Sequence, residues 1–163
     1  MRCTLSEHKR SSGPGGVMLT KETNLELVRQ LRDGRKSYRE IAKELSLSEN
    51  TVRARVNALL EDGMEITAVV DPAQLPQHQV AFVGVRLTSM EFMGKAREFS
   101  KLRGVISAGV VTGRFHLMLI VMFTPDFGLL EFYRDEVSTI EGVADCETFV
   151  VYGSENLLVP YVH

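Results

Sequence analysis

The feature that most constrains the fold is a β-α-β pattern that occurs twice in the second half of the chain. Strand-like apolar runs alternate with longer segments whose apolar residues recur at helical spacing. The predicted order is strand 80–87, helix 90–104, strand 105–111, strand 115–123, helix 125–142 and strand 143–152. Two such units predict a ferredoxin-like βαββαβ domain, in which two helices cover one face of a four-stranded antiparallel sheet.

The strand predicted at 115–123 is apolar on both of its faces. One alternating set is Phe115, Leu117, Leu119, Val121 and Phe123, and the other is Met118, Ile120 and Met122. Two helices can cover only one face of the sheet, and a large exposed apolar patch favours association. The sequence therefore predicts a homodimer through the open sheet face. The alternative is that this strand has been misread from its pattern.

The two predicted helices of this domain each turn one apolar stripe toward the sheet. The stripe of the first helix is Phe92, Ala96, Phe99 and Leu102, and that of the second is Leu129, Leu130, Tyr133, Val137 and Ile140. These spacings of three, four and seven residues are typical of amphipathic helices.

Three short helices are predicted before this domain. The first covers about 21–32, with an apolar stripe of Leu25, Leu27, Val28 and Leu31. We expect Gly34 to end this helix in the left-handed conformation, which costs glycine little. The second helix opens at Ser37, which forms a capping box with Glu40. Ser48 is a good N-cap for the third helix, which ends before Gly63.

The second and third helices are joined by the three-residue turn 46–48, which is the spacing of a helix-turn-helix. The third helix turns Val52, Val56, Leu59 and Leu60 to one face and carries polar side chains on its first turns. The whole chain has a net charge of −2, yet residues 29–57 hold eight Lys or Arg against four Asp or Glu. Local positive charge on such a unit favours a double-stranded DNA partner. The alternative is an ordinary helical hairpin.

The predicted DNA-binding residues lie on the second helix and on the first turns of the third. They are Arg39, Ser48, Glu49, Asn50, Thr51, Arg53 and Arg55. Arg53 and Asn50 are expected to contact base edges or phosphates, since Arg suits guanine and Asn suits adenine in the major groove. Arg39 and Arg55 are expected to serve the phosphate backbone. For Arg55, an ion pair with Glu40 or Glu44 is the open alternative.

The sequence divides into five segments. They are a flexible tail over 1–20, a helix-turn-helix domain over 21–64, a strand and linker over 65–78, the ferredoxin-like domain over 79–153 and a C-terminal tail over 154–163. Within the linker segment, 65–75 is predicted as a strand that Asp71-Pro72 stops.

Cys3 and Cys146 are the only cysteines, and they are too far apart for a zinc or disulfide pattern. No run of about 18 apolar residues indicates a membrane span. We expect a cytoplasmic protein without membrane partner, cofactor or metal.

Most of the chain resembles a known family. The segments "SYREIAKELSLSENTVRARVNALLEDG", "ITAVVDP" and "VVTGRFHLML" are similar to those of the leucine-responsive/asparagine regulator (Lrp/AsnC) transcription factors, over about 21–153. The resemblance implies a fold of class α+β, with an N-terminal helix-turn-helix domain followed by a ferredoxin-like domain of the RAM type. It also implies a DNA-binding regulator whose second domain binds small effectors, often amino acids, and forms dimers that assemble further, commonly to octamers.

One departure from the family pattern concerns the effector. The usual Gly-x-x-Asp hairpin here reads Gly113-Arg114-Phe115-His116, so the acidic residue that would suit an ammonium group is a histidine. Gly113 fits the first position of a tight two-residue hairpin. The predicted effector residues are Thr112, Gly113, Arg114, Phe115, His116 and Thr148. With Arg114 and His116 present, a carboxylate-bearing ligand is expected, and the alternative is a hairpin whose effector site has decayed.

Two other functions share this architecture. Siroheme decarboxylases resemble it and use a histidine near this hairpin, which would give His116 a chemical role. However, His8, His78 and His163 lie far from it in sequence, and no second catalytic group is indicated beside it. The other hypothesis is a sensor that binds an effector but not DNA.

Overall fold

The computed structural model describes residues 22–161 and forms two compact units, the first ending at Ile66 and the second starting at Thr67. The tail predicted over 1–20 lies outside the described residues. Within 22–161, no helix is long and apolar enough to cross a membrane, and no cluster of three or more His, Cys, Asp or Glu is placed to hold a metal ion.

The first unit consists of three helices: α1 (Glu22–Leu31), α2 (Tyr38–Glu44) and α3 (Glu49–Glu61). The capping box of α2 is confirmed, because the Ser37 amide donates to Glu40 Oε2 and the Glu40 amide donates to Ser37 Oγ. These hydrogen bonds lower the pKa of the Glu40 carboxyl. Six side chains form the core of the unit: Leu27, Ile41, Ala42, Val52, Val56 and Leu59.

Two predictions for α1 are wrong. Leu25 is 45% exposed, because the buried stripe follows Asn24, Leu27 and Leu31 and leaves Leu25 at its side. Gly34 is not among the residues with positive φ, so α1 ends through a turn that needs no left-handed glycine. Gly63, after α3, does take a φ of 99°, as a glycine C-terminal to a helix commonly does.

The second unit contains the predicted βαββαβ order between two short outer strands. Its elements are β1 (Val69–Val70), β2 (Gln79–Leu87), α4 (Phe92–Phe99), β3 (Val105–Val110), β4 (Leu117–Phe123), α5 (Leu129–Glu131), β5 (Val143–Val150) and β6 (Val159–Pro160). The helix α5 continues as a π-helical turn, Phe132–Glu136, and a 3₁₀ turn, Val137–Thr139. The four central strands form one antiparallel sheet in the order β3-β4-β2-β5. The fold class α+β is therefore confirmed.

The core of the second unit lies between the sheet and the helical segments. Alternate residues of the two central strands face it, among them Val83, Val85, Leu117 and Leu119, all fully buried. Since side chains of a strand alternate between faces, the residues between them point to the other side. We call that side, turned away from α4 and α5, the open face.

The stripe predicted for the last helix is partly wrong. Leu129 and Leu130 are 40% and 67% exposed, whereas Phe132 and Val137 are buried. The helix begins at 129 rather than 125, and the π-helical turn places residues five apart on one side. A stripe with a period of 3.6 residues therefore misses the buried set.

The segment predicted as a C-terminal tail over 154–163 contains a short strand, β6. β6 pairs antiparallel with β1, so that Val69 lies opposite Pro160 and Val70 opposite Val159. Val159 is 3% exposed and packs with Val80 and Met122 on the open face. The chain itself thus covers one end of the open face, which we expected a second molecule to bury. The strand predicted over 65–75 is only two residues long, Val69–Val70.

We expect Val159→Ala to lower the free energy of unfolding by about 2 kcal/mol, because it removes buried methyl groups and leaves a cavity. Leu158→Ala is the matched control, since Leu158 is 57% exposed. Urea unfolding of both variants at one protein concentration measures the difference. Equal losses would show that the segment does not pack on the sheet as described.

Candidate nucleic-acid interface and effector site

The N-terminal end of α3 presents a row of polar side chains. Ser48 caps the helix by accepting from the Thr51 amide at 3.1 Å, and its hydroxyl also bonds the Thr51 hydroxyl at 2.8 Å. Glu49 and Asn50 are exposed beside this cap. Because Val52, Val56 and the remaining core residues hold the other side of α3, the row faces away from the unit's interior.

Arg53 lies one turn further along and has two partners in the unit. Its Nη2 donates to Glu49 Oε1 at 3.0 Å, and its guanidinium lies 5.3 Å from the centre of the Tyr38 ring. Tyr38 belongs to α2, so a ring from the preceding helix helps to hold the Arg53 side chain in position. Tyr38 is not among the DNA-binding residues predicted from the sequence, although its position at the start of α2, next to Ser37, could have indicated it.

Arg39 and Arg55 differ in exposure. Arg39 is exposed on α2, as a phosphate contact requires. Arg55 is half-buried, and its Nη1 is buried without a hydrogen-bond partner in the described residues. The ion pair considered for Arg55 is not formed, because Glu44 pairs with Lys36 at 2.8 Å and Glu40 accepts from the Ser37 amide at 2.8 Å. Along α3, an open depression is lined by Asn50, Thr51, Ala54, Arg55 and Ala58.

The loop between β3 and β4 is longer than the two-residue hairpin predicted for it. The Val111 amide donates to the His116 carbonyl at 3.1 Å, which encloses residues 112–115. Gly113 takes a φ of 120°, a conformation that L side chains rarely adopt. Thr112, Gly113 and Arg114 are exposed.

Phe115 folds over the open face rather than toward the helices. Its ring occupies the space beside Gly84, where an added Cβ would lie 2.5 Å from a ring carbon, and it meets Phe149 edge to face at 6.1 Å. Arg114 lies over the same ring at 5.3 Å and pairs with Glu147 at 2.8 Å. The prediction that Phe115 shares a face with Leu117 is wrong, because the strand alternation starts only at Leu117.

His116 and Thr148 lie on the helix side of the sheet. The Leu87 amide donates to His116 Nδ1 at 2.9 Å, and the ring stacks on Phe92 at 4.7 Å. Thr148 lies opposite Val83 and bonds the Tyr133 hydroxyl at 2.7 Å. Burial of Tyr133 raises the pKa of its hydroxyl. One chain therefore does not bring these two residues together with Arg114 and Phe115.

Cys146 is a half-buried free thiol on β5. Burial, together with the nearby Asp145 carboxylate, raises its pKa to about 11. It is therefore a protonated and weakly reactive thiol at neutral pH.

Comparison with known proteins supports both halves of the chain. The family model for a winged helix-turn-helix DNA-binding domain matches residues 22–64, and the model for the Lrp/AsnC ligand binding domain matches residues 80–155. An uncharacterized HTH-type transcriptional regulator of Pyrococcus abyssi is 31% identical over 121 residues, which cover 73% of this chain and 77% of the relative. The chain belongs to the Lrp/AsnC family. With these two domains, this Lrp/AsnC protein is a DNA-binding transcriptional regulator.

Solved structures share the fold of this Lrp/AsnC regulator. Escherichia coli AsnC superposes with a TM-score of 0.64 at 24% identity, covering 86% of this chain and 97% of that protein. A Neisseria meningitidis transcriptional regulator, solved as a complex with L-Met, gives a TM-score of 0.63 at 22% identity, covering 81% and 89%. At these identities the likeness concerns the fold.

Proposed function

We propose that this Lrp/AsnC regulator binds its operator through the N-terminal end of α3. Arg53 and Asn50 contact base edges in the major groove, and Arg39 contacts a phosphate. The observation that carries the proposal is the row of exposed polar side chains on a capped helix end, in a segment with an excess of positive charge. Ser48 and Thr51 hold the helix end in place, and Arg55 borders the same surface.

The test is selection of bound duplexes from fragmented genomic DNA, followed by titration of the selected sequence and of a scrambled one. Binding of the selected duplex at least a hundredfold tighter than the scrambled one is expected for a specific site. Equal binding of the two would contradict sequence-specific recognition. Retention of an effector without any DNA binding would favour a sensor that has lost this function.

The protein is further proposed to act as a homodimer that buries the open face. Phe82, Met118 and Ile120 are half-buried at the centre of this face in one chain, and Phe149 is 43% exposed beside them. A twofold dimer carries two copies of α3, one from each chain. Two half-sites separated by about 10 base pairs or a multiple follow from this symmetry. These dimers are proposed to assemble further, to octamers.

A small-molecule effector is proposed for the loop at 112–114. The match to the family's ligand-binding domain and the L-Met complex of the Neisseria meningitidis relative support an amino acid or similar carboxylate. The loop is exposed, and its Arg114 guanidinium suits a carboxylate. Phe115 lies under Arg114, whereas His116 and Thr148 would act through the packing behind the loop.

Because Glu147 already pairs with Arg114, the two carboxylates compete for one guanidinium. Glu147→Gln should tighten effector binding about tenfold, and Arg114→Ala should weaken it by a similar factor, since a charge-assisted hydrogen bond contributes roughly 1.5–3 kcal/mol. Arg86→Ala is the control, because Arg86 and Asp145 form another exposed pair 3.8 Å apart. Calorimetric titration with a panel of amino acids and organic acids measures these effects. A panel without any binder would indicate a decayed site.

Catalysis is not part of the proposed function. The Leu87 amide occupies His116 Nδ1 and Phe92 covers one face of the ring, which supports a packing role for this histidine. Colour from bound tetrapyrrole in the purified protein would instead favour the hypothesis of a decarboxylase. A DNA partner also supports a location at the nucleoid in the cytoplasm.

A further inference from the structure

The first turns of α3 place a hydrogen-bond acceptor directly beside a donor. Glu49 Oε1 lies 3.0 Å from Arg53 Nη2, and the side chains of Glu49 and Arg53 are 46% and 56% exposed. The pair is therefore accessible to a large ligand as a unit. The Tyr38 ring at 5.3 Å restricts the guanidinium on another side, so the donor is held next to the acceptor before any partner binds.

One base pair presents the complementary pattern in the major groove. A C·G pair displays the cytosine N4 donor beside the guanine O6 and N7 acceptors. A carboxylate facing N4 and a guanidinium fork facing O6 and N7 would satisfy all three groups. On an A·T pair, the carboxylate could still accept from adenine N6, but the fork would meet thymine O4 and the thymine methyl group. It would thus lose one of its two hydrogen bonds.

We propose that Glu49 and Arg53 together read one C·G base pair in each half-site, with Glu49 accepting from cytosine N4 and Arg53 donating to guanine O6 and N7. The inference rests on the proposed DNA-binding function and assigns the base pair that α3 recognises. A surface that bound only phosphates would gain nothing from Glu49, because phosphates repel its carboxylate. Recognition of cytosine N4 gives this residue a role. Glu49 therefore lowers affinity for DNA in general and raises selectivity for one base pair.

A selectivity role differs measurably from that of an ordinary surface ion pair. Loss of an ion pair within the protein would change binding to all duplexes by the same factor. Loss of a base-reading acceptor leaves binding to random DNA unchanged or stronger and reduces discrimination at one position. The salt dependence should not change, because Glu49 contacts no phosphate.

The experiment uses the full chain and its selected operator in four versions, which differ only at the base pair where the parent most prefers C·G. The variants are Glu49→Ala, Arg53→Ala and Glu61→Ala. Glu61 is the matched control, because it is an exposed glutamate at the other end of α3. Thermal melting by circular dichroism verifies that each variant is folded.

We expect the parent to prefer C·G at this position by tenfold or more and Glu49→Ala to prefer it by about threefold or less. Arg53→Ala should lose selectivity at the same position, and Glu61→Ala should keep it. Unchanged selectivity of Glu49→Ala, or losses at different positions for the two variants, would overturn the inference while leaving DNA binding by α3 intact. A parent that prefers no sequence would overturn the proposed function and this inference together.

Discussion

Ile120→Glu is expected to dissociate the protein into monomers at micromolar concentration. Ile120 lies on β4 opposite Phe82, near the middle of the open face. A carboxylate there would be buried in the proposed dimer interface without a partner. Since an unpaired buried charge costs about 3–5 kcal/mol, association should weaken by more than a hundredfold. Met118→Glu, one residue pair closer to Phe115, should have the same effect.

Light scattering over a range of concentrations measures the mass of each variant. Leu130→Glu is the matched control, because Leu130 is 67% exposed on α5, away from the sheet. This control should keep the parental mass. A monomeric mass for the parent protein would contradict the dimer itself. Dimeric Ile120→Glu and Met118→Glu variants would show that association uses another surface.

Local signals in the sequence predicted the helix caps of the first unit. Ser37, Glu40 and Ser48 act through hydrogen bonds to residues three positions away, so the pattern that predicts each cap contains nearly all of the interaction. The order of strands and helices in the second unit also followed from periodicity alone. The α+β fold was therefore accessible from the sequence.

Contacts between residues far apart in the sequence could not be predicted from local patterns. Val159 is buried because it meets Val80 and Met122, which no local pattern around residue 159 indicates. Which face Phe115 and His116 each take depends on where regular alternation begins in β4. For this reason the residues predicted for a single effector site do not lie together within one chain.

Arg53→Ala should weaken binding to the selected operator by about 1–3 kcal/mol and relax selectivity at one base position, as expected when a base contact is lost. Arg39→Ala should instead weaken binding to all duplexes alike and reduce the slope of log K against log salt by about one, because it removes a phosphate contact. The exposed pair between Arg53 and Glu49 contributes only about 0.3–0.5 kcal/mol to folding. Loss of stability therefore cannot account for the effect of Arg53→Ala on DNA binding.

Fluorescence anisotropy titrations with operator and scrambled duplexes, at several salt concentrations, separate the two roles. For Arg53→Ala, the two binding curves should approach each other while the salt slope stays near that of the parent. For Arg39→Ala, both curves should shift together and the ratio of the two affinities should be kept. If Arg53→Ala binds operator as tightly as the parent, α3 does not read the bases through Arg53. The exposed side chains of α2 would then be the next candidates, because Arg39 lies there on the same helix as Tyr38.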